Sequence, residues 1–167
     1  MKVITIRELF ETKKKDLALS LVTEPETLNK KLSSQYINRP GLALAGYLDV
    51  FSYDCLQVFG EVEVRYLQTL PEELMLERIR RIFQMDIPGI IVTKGLTLPP
   101  SIEYLANDLN IPILSSRLST AQLIQLLNRY LLDVFALEKT IHATLVEVFS
   151  LGILLTGKSG IAKGWNI

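Results

Sequence analysis

Pro88-Gly89-Ile90-Ile91-Val92 decides the fold, because this short buried strand lies between two segments with helical patterns. The segment before it, Glu72 to Met85, carries apolar residues close to helical spacing. In the segment after it, Pro99-Pro100-Ser101 can begin a helix, since proline is tolerated in a first turn. Ile111-Pro112-Ile113-Leu114 then predicts a further strand. Alternation of helices and strands is typical of a parallel, layered α/β fold.

The same alternation extends to both sides of this stretch. Ser119 or Thr120 can cap a long helix that reaches about Leu137. Upstream, Leu56-Gln57-Val58-Phe59 predicts a strand ended by Gly60, and Val3-Ile4-Thr5-Ile6 predicts another. We therefore expect residues 1–135 to form one α/β domain.

A second pattern begins after this domain. His142 to Glu147 alternates weakly, and Leu151 to Thr156 predicts a strand. These segments predict the opening hairpin of a second domain. We expect residues 136–167 to be the start of that domain, which is truncated soon after it begins.

Composition excludes several classes of protein. Of the 167 residues, 49% are hydrophobic, which is enough for a packed core and argues against wholesale disorder. Eighteen basic residues balance eighteen acidic ones, so net charge favours neither nucleic acid nor an anionic membrane. Cys55 is the only cysteine, which excludes an internal disulfide and a cysteine zinc cluster. With no signal peptide or membrane-spanning run, we expect a cytoplasmic protein that has no metal site of its own.

A candidate phosphate-binding loop follows the last predicted strand. In such loops, glycines turn backbone N–H groups toward phosphates, a lysine adds charge, and a final hydroxyl binds Mg²⁺. Gly157 and Lys163 fill the first and seventh positions, but Ala162 replaces the second glycine and Gly164 replaces the hydroxyl. Both departures argue against tight ATP binding, and an ordinary glycine-rich turn is the alternative. The candidate nucleotide-binding residues are Gly157, Lys158, Ser159, Gly160, Ile161, Ala162, Lys163 and Gly164.

Several segments, in order along the chain, resemble bacterial HPr kinase/phosphorylase. Four of them lie in the first domain: Ile37-Asn38-Arg39-Pro40-Gly41-Leu42-Ala43-Leu44-Ala45-Gly46-Tyr47, Gln57-Val58-Phe59-Gly60-Glu61-Val62-Glu63, Pro88-Gly89-Ile90-Ile91-Val92-Thr93-Lys94-Gly95 and Ile111-Pro112-Ile113-Leu114. Ile141-His142 and Leu151 to Lys163 resemble the start of that family's P-loop kinase domain.

The resemblance implies an enzyme that uses ATP and Mg²⁺ to phosphorylate a serine of the phosphocarrier protein HPr. It also implies phosphorolytic removal of that phosphate, regulation of carbon metabolism, and assembly into homo-oligomers. His142 matches the family's active-site histidine, and Lys163 matches its phosphate-contacting lysine. The family's catalytic aspartate, acidic Mg²⁺ ligand and HPr-binding region would lie beyond Ile167. We therefore expect this chain to be inactive by itself.

Two alternatives remain at this stage. The chain could be a stand-alone domain that senses a small ligand or binds another protein. Arg39, in the turn Asn38-Arg39-Pro40-Gly41, and the loop after Val92 are the places where such a ligand is expected. The other alternative is an α/β domain followed by an unstructured tail.

Overall fold

The computed structural model describes residues 2–136, 143–148 and 151–156. The chain divides into two compact units, Met1–Phe135 and Ala136–Ile167. Each unit is described separately.

The first unit contains six α-helices and seven β-strands within the described residues. In chain order they are β1 (Ile4–Thr5), α1 (Ile6–Lys13), β2 (Leu19–Leu21), β3 (Lys31–Leu32), β4 (Ile37–Asn38), α2 (Gly41–Leu44), β5 (Leu56–Phe59), α3 (Glu61–Thr69), α4 (Glu72–Phe83), β6 (Ile90–Val92), α5 (Pro100–Asp108), β7 (Ile113–Ser116) and α6 (Thr120–Phe135). A 3₁₀ helix, Pro25–Asn29, lies between β2 and β3.

Five of these strands form the central sheet, in the order β2-β7-β6-β5-β4. Strands β4, β5, β6 and β7 are parallel, with Val58 paired to Ile91 and Ile91 paired to Leu114. Strand β2 is antiparallel to β7 and closes one edge, and β1 pairs with β3 in a separate two-stranded ribbon. The predicted α/β class with a mostly parallel, layered sheet is confirmed.

The sheet is covered on both faces, which explains why its strands are almost continuously apolar. Alternate residues of β6 point to opposite faces: Ile90 and Val92 join one core and Ile91 joins the other. The first core is completed by α2, α3, α4 and α5. The second is completed by α1, the β1–β3 ribbon and α6. Helix α6 thus follows β7 onto the face opposite to α5.

The structure differs locally from the sequence-based expectations. Ile6 begins α1 instead of ending a strand, because the Thr5 hydroxyl accepts a hydrogen bond from the Glu8 amide and the Glu8 carboxylate accepts one from the Thr5 amide. The last parallel strand begins two residues later than expected, after a left-handed backbone at Asn110 (φ 56°). Helix α3 was not expected from the sequence.

In the second unit, β8 (Ala143–Val148) and β9 (Leu151–Thr156) form an antiparallel hairpin. The predicted hairpin is confirmed at these strands. That it opens a kinase domain stays a prediction. In the described part of the chain, no helix combines the length and apolar character needed to span a bilayer.

Candidate functional site

Polar residues gather where the parallel strands end. Arg39 follows β4, Gly60 follows β5, and Thr93 and Lys94 follow β6. In open α/β sheets, ligands bind outside the carboxyl ends of the strands. Thr120, the first residue of α6, comes to the same edge, because α6 starts there before it packs on the second face.

A buried carboxylate organises this edge. Glu63 Oε2 accepts a hydrogen bond from the Gly60 amide at 2.8 Å and from Arg39 Nη2 at 2.7 Å. The Glu63 side chain is only 4% exposed, whereas that of Arg39 is 44% exposed. Glu63 lies in the first turn of α3, where a carboxylate satisfies an amide at the helix start. The guanidinium is therefore anchored at one nitrogen, and much of it stays accessible to solvent.

The absence of a side chain at Gly60 allows this arrangement. A Cβ at Gly60 would lie 2.9 Å from Arg39 Nη2 and 2.9 Å from Thr120 Oγ1. The hydroxyls of Thr93 and Thr120 are 2.7 Å apart, which joins the end of β6 to the start of α6. Glycine at this position lets the arginine and both threonines meet within a few ångströms.

The loop after β6 adds a second cation. Lys94 has a left-handed backbone (φ 58°), and its amide donates to the Leu118 carbonyl at 2.8 Å. Its Nζ donates to Glu61 Oε2 at 2.9 Å, and Arg65 contacts the other oxygen of Glu61 at 2.7 Å. Lys94, and to a smaller degree Arg65, lower the pKa of Glu61 below its ordinary value. Arg39 and Lys94 are thus each oriented by a carboxylate of α3.

Beside Arg39 lies a small cavity of about 120 Å³. Its wall combines the guanidinium of Arg39 and the amide of Asn38 with apolar side chains, of which Leu42, Tyr47 and Val50 are at least half exposed. Among the described residues, no group of three or more His, Cys, Asp or Glu side chains could hold a metal ion. The chemistry available at this edge is anion recognition next to an apolar surface.

Some of the sequence-based candidate residues lie within the described part of the chain, and others lie outside it. Arg39 and the loop after Val92 lie at this edge, and that they bind a ligand stays a prediction. His142 and the whole candidate phosphate loop, residues 157–164, including Lys163, lie outside the described residues. Sequence reasoning missed Glu63, although its position three residues after Gly60 is the spacing of a helix-capping carboxylate. It also missed the pairing of Thr93 with Thr120, which are far apart in the sequence.

The fold defines a layered α/β domain with a mostly parallel sheet. A solved structure of the CBS and DRTGG domains of the regulatory region of Clostridium perfringens pyrophosphatase has a similar fold, with a TM-score of 0.51 and 14% identity. The match covers 71% of this chain and 45% of that chain. The likeness extends to the fold alone.

Residues 4–131 match the family model described as HPr Serine kinase N terminus, and the chain belongs to this family. The HPr kinase/phosphorylase of Alkaliphilus metalliredigens (strain QYMF) is 39% identical over 163 residues. That alignment covers 98% of this chain and 52% of the relative, so the chain spans about half the length of the curated relative.

Proposed function

We propose that this chain functions as part of an HPr kinase/phosphorylase. Such an enzyme phosphorylates a serine of HPr with ATP and Mg²⁺ and removes the phosphate by phosphorolysis. In this proposal residues 1–135 form its N-terminal regulatory-type domain, and residues 136–167 form the start of its P-loop kinase domain. The activity would regulate carbon metabolism in the cytoplasm, within a homo-oligomer.

The observation that supports this proposal is the extent of the match to the relative. The 39% identity runs over 163 residues and includes both the α/β unit and the β8–β9 hairpin. In the proposed kinase domain, Lys163 would neutralise charge on the transferred phosphate and His142 would act at the active site. Gly157 to Gly164 would surround the nucleotide.

We expect the 167 residues by themselves to be inactive toward HPr. Gly164 provides no hydroxyl for Mg²⁺, and Ala162 adds a Cβ in a loop that favours glycine. The catalytic carboxylates of the family would have to come from the half of the relative that this chain does not match.

The test is serine phosphorylation of HPr, with ATP and Mg²⁺, by this chain alone. We expect no phosphoserine. Phosphoserine that disappears in Lys163→Ala would show that these residues already contain a working kinase. A second assay replaces only the segment of the Alkaliphilus relative that aligns with residues 1–135 by those residues, and leaves the relative's own kinase domain intact. A changed ratio of kinase to phosphorylase activity would support a regulatory role for the first unit, and an unchanged ratio would contradict it.

A second candidate function is sensing of a small ligand, and the half-exposed Arg39 at the carboxyl edge favours it. The pyrophosphatase region of similar fold was crystallised with an activator, diadenosine tetraphosphate. A ligand that raises the melting temperature of this chain, but not that of Arg39→Ala, would support this function. Deletion of residues after Phe135 would leave that shift unchanged if the first unit alone binds the ligand.

A further inference from the structure

A second concave surface lies beside β2, the edge strand farthest from β4 and Arg39 in the order of the sheet. Like Arg39, it lies at the carboxyl ends of the parallel strands, because Arg117 follows β7. Its volume is about 650 Å³, within the range of roughly 300–1,000 Å³ that small-molecule sites occupy. It shares no lining residue with the cavity beside Arg39. The residues that line it are Lys14, Lys15, Ala18, Leu19, Ser20 and Arg117.

The charge of this surface has one sign. Three of the six lining residues are cations, Lys14, Lys15 and Arg117, and none is a carboxylate. Within the described part of the chain, none of the three forms an ion pair, whereas the nearby Lys13 pairs with Asp16 at 3.0 Å. Because acidic and basic residues balance over the whole chain, this is a local concentration of positive charge.

Hydrogen bonds fix the backbone that carries these three cations. The carbonyls of Lys13 and Lys14, at the end of α1, accept hydrogen bonds from the amides of Leu17 and Leu19, both at 2.9 Å. The carbonyl of Leu17 accepts from Ser116 Oγ at 2.6 Å, beside Arg117. The loop between α1 and β2 is therefore fastened both to its own helix and to the end of β7.

The loop also adopts an unfavourable backbone conformation. Ala18 has φ 47°, in the left-handed region, which is unfavourable for a residue with a Cβ. Its carbonyl accepts a hydrogen bond from the Arg117 amide at 3.3 Å. This contact joins the strained loop to the strand end that carries the third cation.

We propose that this surface binds a small oligophosphate, whose adjacent phosphate groups are shared among Lys14, Lys15 and Arg117. Guanidinium and ammonium groups form charge-assisted hydrogen bonds with phosphate, and Ser20 adds a hydroxyl. A concave surface with three cations suits a short, compact anion. An extended nucleic acid would need a longer basic stripe, and the balanced net charge of the chain argues against that.

The test is calorimetric titration of the 167-residue chain with inorganic tripolyphosphate at low salt. We expect saturable binding that weakens as salt is added. Lys14→Ala, Lys15→Ala and Arg117→Ala should each weaken it about tenfold, as for loss of a hydrogen bond between charged groups. Arg117→Lys should restore part of the affinity. Arg80→Ala/Arg81→Ala, which removes two exposed cations of α4, is the matched control and should change the affinity less than about twofold.

Other outcomes would overturn the proposal. These are no binding, equal weakening by the α4 control, or tighter binding of a single-stranded oligonucleotide than of tripolyphosphate. Loss of binding in Lys163→Ala, with the three cavity variants unchanged, would assign the anion to the candidate phosphate loop. Circular dichroism of each variant identifies any loss of binding caused by misfolding, and Lys15→Ala removes only an exposed side chain. The outcome is independent of whether the chain acts on HPr.

Discussion

Glu63 Oε2 lies 2.7 Å from Arg39 Nη2, and the carboxylate that makes this contact is almost completely buried. Arg39 follows the edge strand β4, and Glu63 belongs to α3, which follows β5. The pair therefore joins two successive strand ends of the parallel sheet. Since the same oxygen accepts from the Gly60 amide, one atom supports both the helix start and the position of the guanidinium.

Glu63→Gln should lower the free energy of unfolding by about 1–3 kcal/mol, because it removes the negative charge that strengthens both hydrogen bonds and pairs with the Arg39 guanidinium. Urea unfolding measures this loss. Glu77→Gln, an exposed change in α4, is the control and should have an effect below about 0.5 kcal/mol. Equal effects of the two substitutions would mean that the buried pair adds no stability.

Gly60→Ala should destabilise the fold by about 1–3 kcal/mol, because the added Cβ meets Arg39 Nη2 and Thr120 Oγ1 at 2.9 Å. The backbone at Gly60 (φ −94°) is one that alanine adopts readily, so the effect would be steric. Gly41→Ala is the control, since the nearest side-chain atom to its Cβ would be Glu63 Oε1 at 3.9 Å. Thermal unfolding distinguishes them, and an unchanged melting temperature for Gly60→Ala would contradict the crowding seen at this edge.

Leu127→Ala should cost about 2–5 kcal/mol, because Leu127 is fully buried in the second core. Leu132→Ala removes the same atoms from the same helix, but Leu132 is 52% exposed, so we expect a much smaller loss. Urea unfolding of the two variants compares the faces of α6 directly. Similar losses would indicate that α6 does not pack as the structure describes.

The contribution of the Cys55 thiol to stability should depend on pH in the alkaline range. Burial raises the pKa of its thiol, and the hydrogen bond with Ser34 opposes this effect only in part. Because folding favours the neutral thiol, its contribution is complete below the ordinary thiol pKa and is lost as pH rises through the higher folded value. The stability difference between the unsubstituted chain and Cys55→Ala should therefore shrink at alkaline pH. A constant difference would contradict this assignment.

The reactivity of the same thiol gives an independent measurement. We expect slow reaction with a thiol reagent at neutral pH and rapid reaction in urea, since the side chain is 5% exposed.

The layered fold was predictable because its strongest signals are local. Ile90-Ile91-Val92 is a short apolar run next to glycine and proline, and Glu72 to Phe83 keeps helical spacing through its buried residues. Helix α3 was not predicted, because its exposed Val62 interrupts the apolar spacing of Val64 and Leu67. The two-residue strand β4 is too short to give a periodic pattern.

The candidate site was predictable only in part. Arg39 stands out in the sequence because it precedes Pro40-Gly41, which is a turn signal. Its partner Glu63 is 24 residues away, and the meeting of Thr93 with Thr120 depends on α6 beginning at the end of β6. Such contacts arise from the order of strands in the sheet, which local spacing does not contain.

The second core joins the two ends of the first unit, since it packs Ile4 to Leu32 against Leu123, Leu127 and Leu131. During synthesis, the residues before β4 therefore lack the part of their core that α6 supplies until α6 has been made. The layer formed by α2 to α5 has its partners closer in sequence and can assemble earlier. A nascent chain that ends before α6 would expose the apolar face that Leu123, Leu127 and Leu131 cover in the complete unit.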